Sequence, residues 1–165
     1  MELVECFLHL DSDIDPSDLP LNLCPKVSDS RVSVFHSTIA TFCAPSNLSG
    51  PGGMYQETIR STPQWTKGDV SGPRRDCILV DGEEPSAPGM RGLLVAHVYL
   101  FFRLSYAGVE KYPCALVHWY ATVGTSPDSA TGLWVVEPEY ITRRRYQNMS
   151  VIHLDSLIHG AHLLP

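Results

Sequence analysis

The sequence predicts a mostly β domain: a small antiparallel barrel or sandwich built around one long hairpin, with a short helical turn near its C-terminus. Two observations predict it. Residues 91–123 hold two runs of alternating apolar residues of opposite parity, separated by a turn. The remainder is a series of short β-branched and aromatic runs punctuated by 13 prolines and 12 glycines, the mix expected of short strands joined by many turns.

From Leu94 to Leu104 the even positions Leu94, Ala96, Val98, Leu100, Phe102 and Leu104 are all apolar, while the odd positions include His97, Tyr99 and Arg103. In the return strand the odd positions Ala115, Val117, Trp119, Ala121 and Val123 form the apolar set. A strand points alternate side chains to opposite faces, so each run has one core face. A turn centred on Gly108-Val109 pairs Phe102 with Ala115 and Val98 with Trp119. It sets Tyr99 against His118 and His97 against Tyr120 on the other face. A slip of one residue would expose the core set; a slip of two would not.

The rest of the chain is read in order. Residues 1–30 carry seven acidic side chains against Lys26 and are rich in Pro and Asp, which predicts a flexible acidic tail ahead of one β-rich domain, residues 31–165. Arg31–Phe42 reads as a strand, 44–53 as a loop, Met54–Arg60 as a strand and Thr62–Pro73 as a loop. Asp76–Val80 is a short buried strand closed by Asp81-Gly82. Beyond the hairpin, Gly124–Gly132 is a polar loop, Leu133–Glu137 a strand stopped by Pro138, and Met149–Leu154 a strand. Asp155 or Ser156 is placed to cap a helical turn over Leu157–His162. The last residues, Leu163-Leu164-Pro165, carry no stop signal, and a further strand is expected after them.

The net charge of −6 belongs to the tail, because residues 31–165 hold 11 acidic and 11 basic side chains. Acidity therefore argues neither for nor against an anionic partner of the domain. Five cysteines, none in C-x-x-C spacing, predict neither a disulfide framework nor a zinc knuckle. The N-terminal residues lack the basic and apolar regions of a secretory signal, so an intracellular, reducing setting is expected. The apolar run Leu93–Phe102 is too short to span a bilayer, and no membrane partner is expected.

Several blocks occur in a recognisable order: Phe42-Cys-Ala-Pro-Ser46 with Gly50-Pro-Gly-Gly-Met54, Asp76-Cys-Ile-Leu-Val80, Gly89-Met-Arg-Gly92, Tyr112-Pro-Cys-Ala-Leu-Val-His-Trp119, Thr131-Gly-Leu-Trp-Val-Val-Glu-Pro138, and Val151-Ile-His-Leu-Asp155 with Ala161-His-Leu163. Over residues 31–165 the chain resembles the C-terminal region of fungal Plavaka-type transposases, of the Kyakuja–Dileera–Zisupton group. In that family the strand-transfer carboxylates lie in a nuclease core upstream of this region. The resemblance thus implies a transposon-derived module without the catalytic core, and it carries over no catalytic residue. The order of Val117-His-Trp-Tyr120, a later strand and Ile152-His-Leu-Asp-Ser-Leu-Ile158 also resembles bromo-adjacent homology domains, which are chromatin-associated β-barrels. The implied function is binding to DNA or a chromatin protein, in the nucleus, with no cofactor and no reaction. The alternatives are a metal- or thiol-dependent hydrolase, or a decayed fragment with no function.

Five arginines are candidates for gripping phosphates: Arg143, Arg144 and Arg145 in one run, and Arg74 with Arg75. The bland alternative for such a run is a solvated turn. Tyr99, His118, Tyr120 and Trp134 are candidates for an aromatic surface able to take a methylated lysine. The alternative is that another strand covers that face. His153, His159 and His162 invite a metal reading, but no Cys or Asp stands at ligand spacing and packing histidines are the simpler account. Cys114 and His118 share a strand face four residues apart, roughly 13 Å, too far for a nucleophile and its base. Glu137 and Asp155, if brought together from neighbouring strand ends, are the one pair of carboxylates placed to hold metal ions.

Overall fold

The computed structural model describes residues 31–44, 53–82, 89–106, 110–141 and 146–164. Predictions that fall elsewhere, namely the acidic tail, the Gly50-Pro-Gly-Gly53 loop before Gly53, the hairpin turn at 107–109 and Arg143–Arg145, lie outside the described residues.

The centre is the predicted hairpin, β6 (Leu93–Tyr106) and β7 (Glu110–Val123), two strands of 14 residues each. Two short strands sit end to end along each outer edge. β5 (Cys77–Asp81) and β1 (Arg31–Phe35) pair with β6; β8 (Val135–Pro138) and β9 (Met149–His153) pair with β7. β10 (Leu157–Ala161) adds to the far edge of β5. All of these pairs are antiparallel. A second sheet, in the order β2-β3-β4, is built from β2 (Ser37–Cys43), β3 (Met54–Lys67) and β4 (Val70–Arg75). Its Ala40 and Ile59 pack onto Ile78, Val80, Ala96, Val98, Phe101, Ala115 and Val117 of the first sheet. The architecture is two antiparallel sheets in contact, and the larger one is not closed into a barrel.

The register differs from the predicted one. Phe102 lies opposite Cys114, Val98 opposite Val117, and His97 opposite His118. Already at Tyr106, opposite Glu110, the pairing is displaced by one residue, and a β-bulge between Val98 and Leu100 displaces the far half by one more and leaves Tyr99 without a direct partner on β7. An extra residue reverses the side-chain alternation of everything beyond it. Ala96 and Val98 therefore face the second sheet from even positions, and Phe101 faces it from an odd one. Past the bulge, the even residues Phe102 and Leu104 turn to the opposite face and form a second cluster with Cys114, flanked by Leu100, Tyr112, Leu116 and Val151. The unbroken even-numbered apolar series is thus shared between two cores. Val98 is fully buried as predicted; Trp119 is half-buried against the main core and donates from Nε1 to Ser150 Oγ at 2.9 Å.

Three element assignments are corrected. The single strand expected over Arg31–Phe42 breaks at His36 into β1 and β2, which enter different sheets. The loop expected over Thr62–Pro73 is the β3–β4 hairpin, turning at Gly68 with φ of +59°. Prolines argued against strand there, because proline cannot donate to a ladder. Both Pro63 and Pro73 fall within the register shift between Thr62 and Trp65, where that ladder is interrupted. The helical turn expected over Leu157–His162 is strand β10; the turn that does form is a 3-10 turn just before it, Leu154–Ser156. His153 caps it, its Nδ1 accepting from the Asp155 amide at 3.2 Å. The open edge of β5 recruits the residues that follow, so pairing outweighs local capping propensity.

Polar links join the sheets. Asp76 stands between β4 and β5, and its Oδ2 accepts from the Arg60 amide at 2.9 Å, while its own amide donates to the Arg60 carbonyl at 2.8 Å. The buried Ser61 hydroxyl donates to the Val98 carbonyl at 3.2 Å. Glu57 of β3 accepts from the Gly160 amide of β10 at 3.0 Å.

Candidate binding surface

The main core occupies one face of the large sheet. Alternation sends the intervening side chains to the other, and the register lines them up in rows. Cys77, His97, His118 and Met149 form one row across β5, β6, β7 and β9; Leu79, Val95 and Tyr120 form the next. Tyr99 enters this face from the bulge. His97 and Tyr99 rings meet edge-on with centroids 5.4 Å apart, Tyr99 and His118 lie 6.4 Å apart, and His118 and Tyr120 5.9 Å apart. Tyr140, in the segment after β8, closes the group 5.7 Å from His118.

Hydrogen bonds fix the imidazoles. His118 is only 3% exposed and donates from Nε2 to the Glu139 carbonyl at 2.8 Å. His97 donates from Nε2 to the Arg75 carbonyl at 3.1 Å. Burial holds His97 below the ordinary imidazole range, against the opposing pull of that carbonyl, so it is neutral at pH 7. The Tyr99 hydroxyl accepts from Gln147 Nε2 at 3.0 Å. Burial raises the Tyr120 phenol above its usual range, and the neighbouring Cys77, Tyr99 and Tyr140 add to that effect.

The two predicted arginines part company. Arg74 turns away, its Nε donating to Asp76 Oδ1 at 3.0 Å and its guanidinium lying 5.1 Å from the Trp65 ring centre. Arg75 points to the opposite face, as the next residue of a strand must, and its guanidinium sits 4.4 Å over the Tyr99 ring. Arg75 therefore joins the aromatic surface that was predicted separately from it.

No family model matches the chain, and no curated protein or solved structure matches it either.

Trp134 lines an open groove of about 340 Å³ with Met90, Leu93, Leu94, Thr122 and Thr125. A compact loop carries it there. Gly124 has φ of +82°, which permits the turn out of β7. Asp128 Oδ1 accepts from the amides of Ala130 and Thr131 and from the Thr131 hydroxyl, all at 2.9–3.1 Å. The Thr131 hydroxyl, followed by its amide, holds the Asp128 carboxyl below the usual carboxylate range.

The remaining candidates are dispersed. His153 Nδ1, which accepts from the Asp155 amide, lies 3.3 Å from Asp155 Oδ2, His162 Nε2 lies 3.8 Å from Glu57 Oε1, and the His159 ring lies 4.8 Å from that of Phe42. Among the described residues, no three His, Cys, Asp or Glu side chains gather where they could hold a metal ion. Glu137 pairs with Ala121, while Asp155 follows His153, which pairs with Cys114. Those two positions on β7 are seven residues, roughly 23 Å, apart, so the carboxylates do not converge. Cys114 is buried, and its Sγ donates to the Tyr112 carbonyl at 3.5 Å.

Cys77 borders the surface, and burial, with a smaller push from Asp76, raises its thiol to about 11. Only about one thiol in a thousand is then ionised at pH 8. Iodoacetamide at pH 8 is expected to label the exposed Cys43 well before Cys77 or Cys114 in the native protein, as read by peptide mass mapping. Equal rates at Cys43 and Cys77 would contradict this environment.

Sequence reasoning missed His97, Tyr140 and Gln147. His97 carried a signal, since it shares parity with Tyr99. Tyr140 and Gln147 carried none, because they reach the face through a bridge between them, beyond the end of β8.

Proposed function

We propose that this chain is a non-catalytic binding module of a transposable-element protein, that its ligand is nucleic acid, and that it binds through the face bearing Arg75, His97, Tyr99 and Tyr120. The observation that carries this reading is the guanidinium of Arg75, 4.4 Å over the Tyr99 ring and beside a row of further rings. A base can stack on the planar Arg75 guanidinium, which lies over Tyr99, and the same guanidinium can pair with the phosphate of that nucleotide. A methylated lysine fits less well. It would approach Tyr99 where a cation already sits, and like charges repel.

The test is anisotropy of labelled oligonucleotides with the whole chain between 20 and 200 mM salt. Tyr99→Ala is expected to weaken binding about 5- to 150-fold, the worth of one stacked base. Arg75→Ala is expected to weaken it and to flatten the log K against log salt slope by about 0.7–0.9, the value of one lost phosphate contact. No affinity at low salt, or affinity indifferent to both substitutions, would overturn the reading. Saturable binding of a trimethyl-lysine peptide, lost in Tyr99→Ala, would replace it with the chromatin-protein reading.

A further inference from the structure

We propose that this face takes a single-stranded nucleic acid, and that the Trp134 groove is its second base-binding subsite. This rests on the nucleic-acid reading above.

The groove continues the aromatic face. Leu93 follows Val95, His97 and Tyr99 on the same side of β6, and Thr122 follows His118 and Tyr120 on the same side of β7. Both Leu93 and Thr122 line the groove. A strand lying along β6 and β7 thus passes from Tyr99 over Tyr120 to Trp134 without leaving the face. From the level of His118 to Thr122 is four residues, roughly 13 Å, the reach of a few nucleotides.

The lining suits a base. Met90, Leu93 and Trp134 offer apolar and aromatic contact to a flat ring, and the Thr122 and Thr125 hydroxyls stand ready for its polar edge. Opposite charge places the phosphate end at Arg75. In a duplex the base faces are stacked on one another and only their edges are open, so a groove that takes in a whole base reads a single strand.

The experiment uses the whole chain with labelled oligothymidylates of two to eight nucleotides and a duplex. Affinity is expected to rise with length and then level off once the strand reaches the groove. Trp134→Ala should remove the later part of that rise, about 5- to 150-fold at eight nucleotides, and leave dinucleotide binding unchanged. Thr122→Phe, which fills the groove from an exposed wall, should give the same loss, and covers the case in which Trp134→Ala unfolds the loop. Loss in Tyr99→Ala with full binding by both groove variants would overturn this inference and leave the nucleic-acid reading standing. Duplex bound as tightly as oligothymidylate would also overturn it. No oligonucleotide binding at all would overturn the reading beneath it.

Discussion

Phe101→Ala is expected to destabilise the protein by about 3–5 kcal/mol, the cost of truncating a large aromatic in a closed core. Phe101 is 1% exposed, and it heads the fully buried side chains by volume. It is also the first residue past the bulge to return to the main core, where it packs among the group that includes Val98 and Ala115. Its neighbours across the sheet are backbone-paired on both sides, to Phe35 on β1 and to Ala115 on β7, so they have little freedom to collapse into the space. Urea denaturation checks this through the midpoint at unchanged slope. Trp119, which the alternation alone nominates for the same role, is only half-buried and keeps an outward bond to Ser150, so Trp119→Ala should cost less than Phe101→Ala. The reverse order would show that the bulge is misplaced.

Asp76→Ala is expected to cost about 2–3 kcal/mol. The Asp76 carboxylate accepts from the Arg60 amide through Oδ2 and from Arg74 Nε through Oδ1. Its removal leaves a half-buried amide without a partner and releases Arg74 from the position in which it lies against Trp65. Because the side chains of that ion pair remain 35% and 25% exposed, the effect stays below that of a closed ion pair. Asp76→Asn keeps one acceptor and should retain about half of the stability lost in Asp76→Ala. Thermal melts of the three proteins give the ordering, and equal melting points for wild type and Asp76→Ala would remove Asp76 as the joint between the sheets.

The hairpin was legible because alternation is a backbone property: Leu94–Leu104 and Ala115–Val123 declare two strands and their opposite parity without any tertiary information. The bulge was not legible. Even-numbered apolar residues on both sides of Tyr99 satisfy one core or two equally well, and only the second sheet decides between them. The same kind of gap explains β4 and β10. Pro73 and Gly160 are poor strand residues locally, and pairing rather than propensity places each: Pro73 where the hairpin ladder to β3 is interrupted, Gly160 by β5 and by Glu57, far away in sequence. Of the site, Tyr99, His118 and Tyr120 followed from parity. Their meeting with Arg75 depends on β4 leading into β5 at the rim of the same face, which periodicity within a strand does not encode.

The bulge at Tyr99 also sets a rule for how this protein can vary. Most of a β-strand tolerates exchange of one apolar residue for another, and most loops tolerate a change of length. The stretch from Val98 to Phe101 tolerates neither a lost nor a gained residue, because one step there trades Phe101 for Phe102 between opposite sides of the molecule and withdraws the ring beneath Arg75 at the same moment. Length, rather than chemistry, is the inherited quantity at this point in the chain. Descendants of this sequence should therefore keep the count between Ala96 and Leu104 even where they have changed every letter in it.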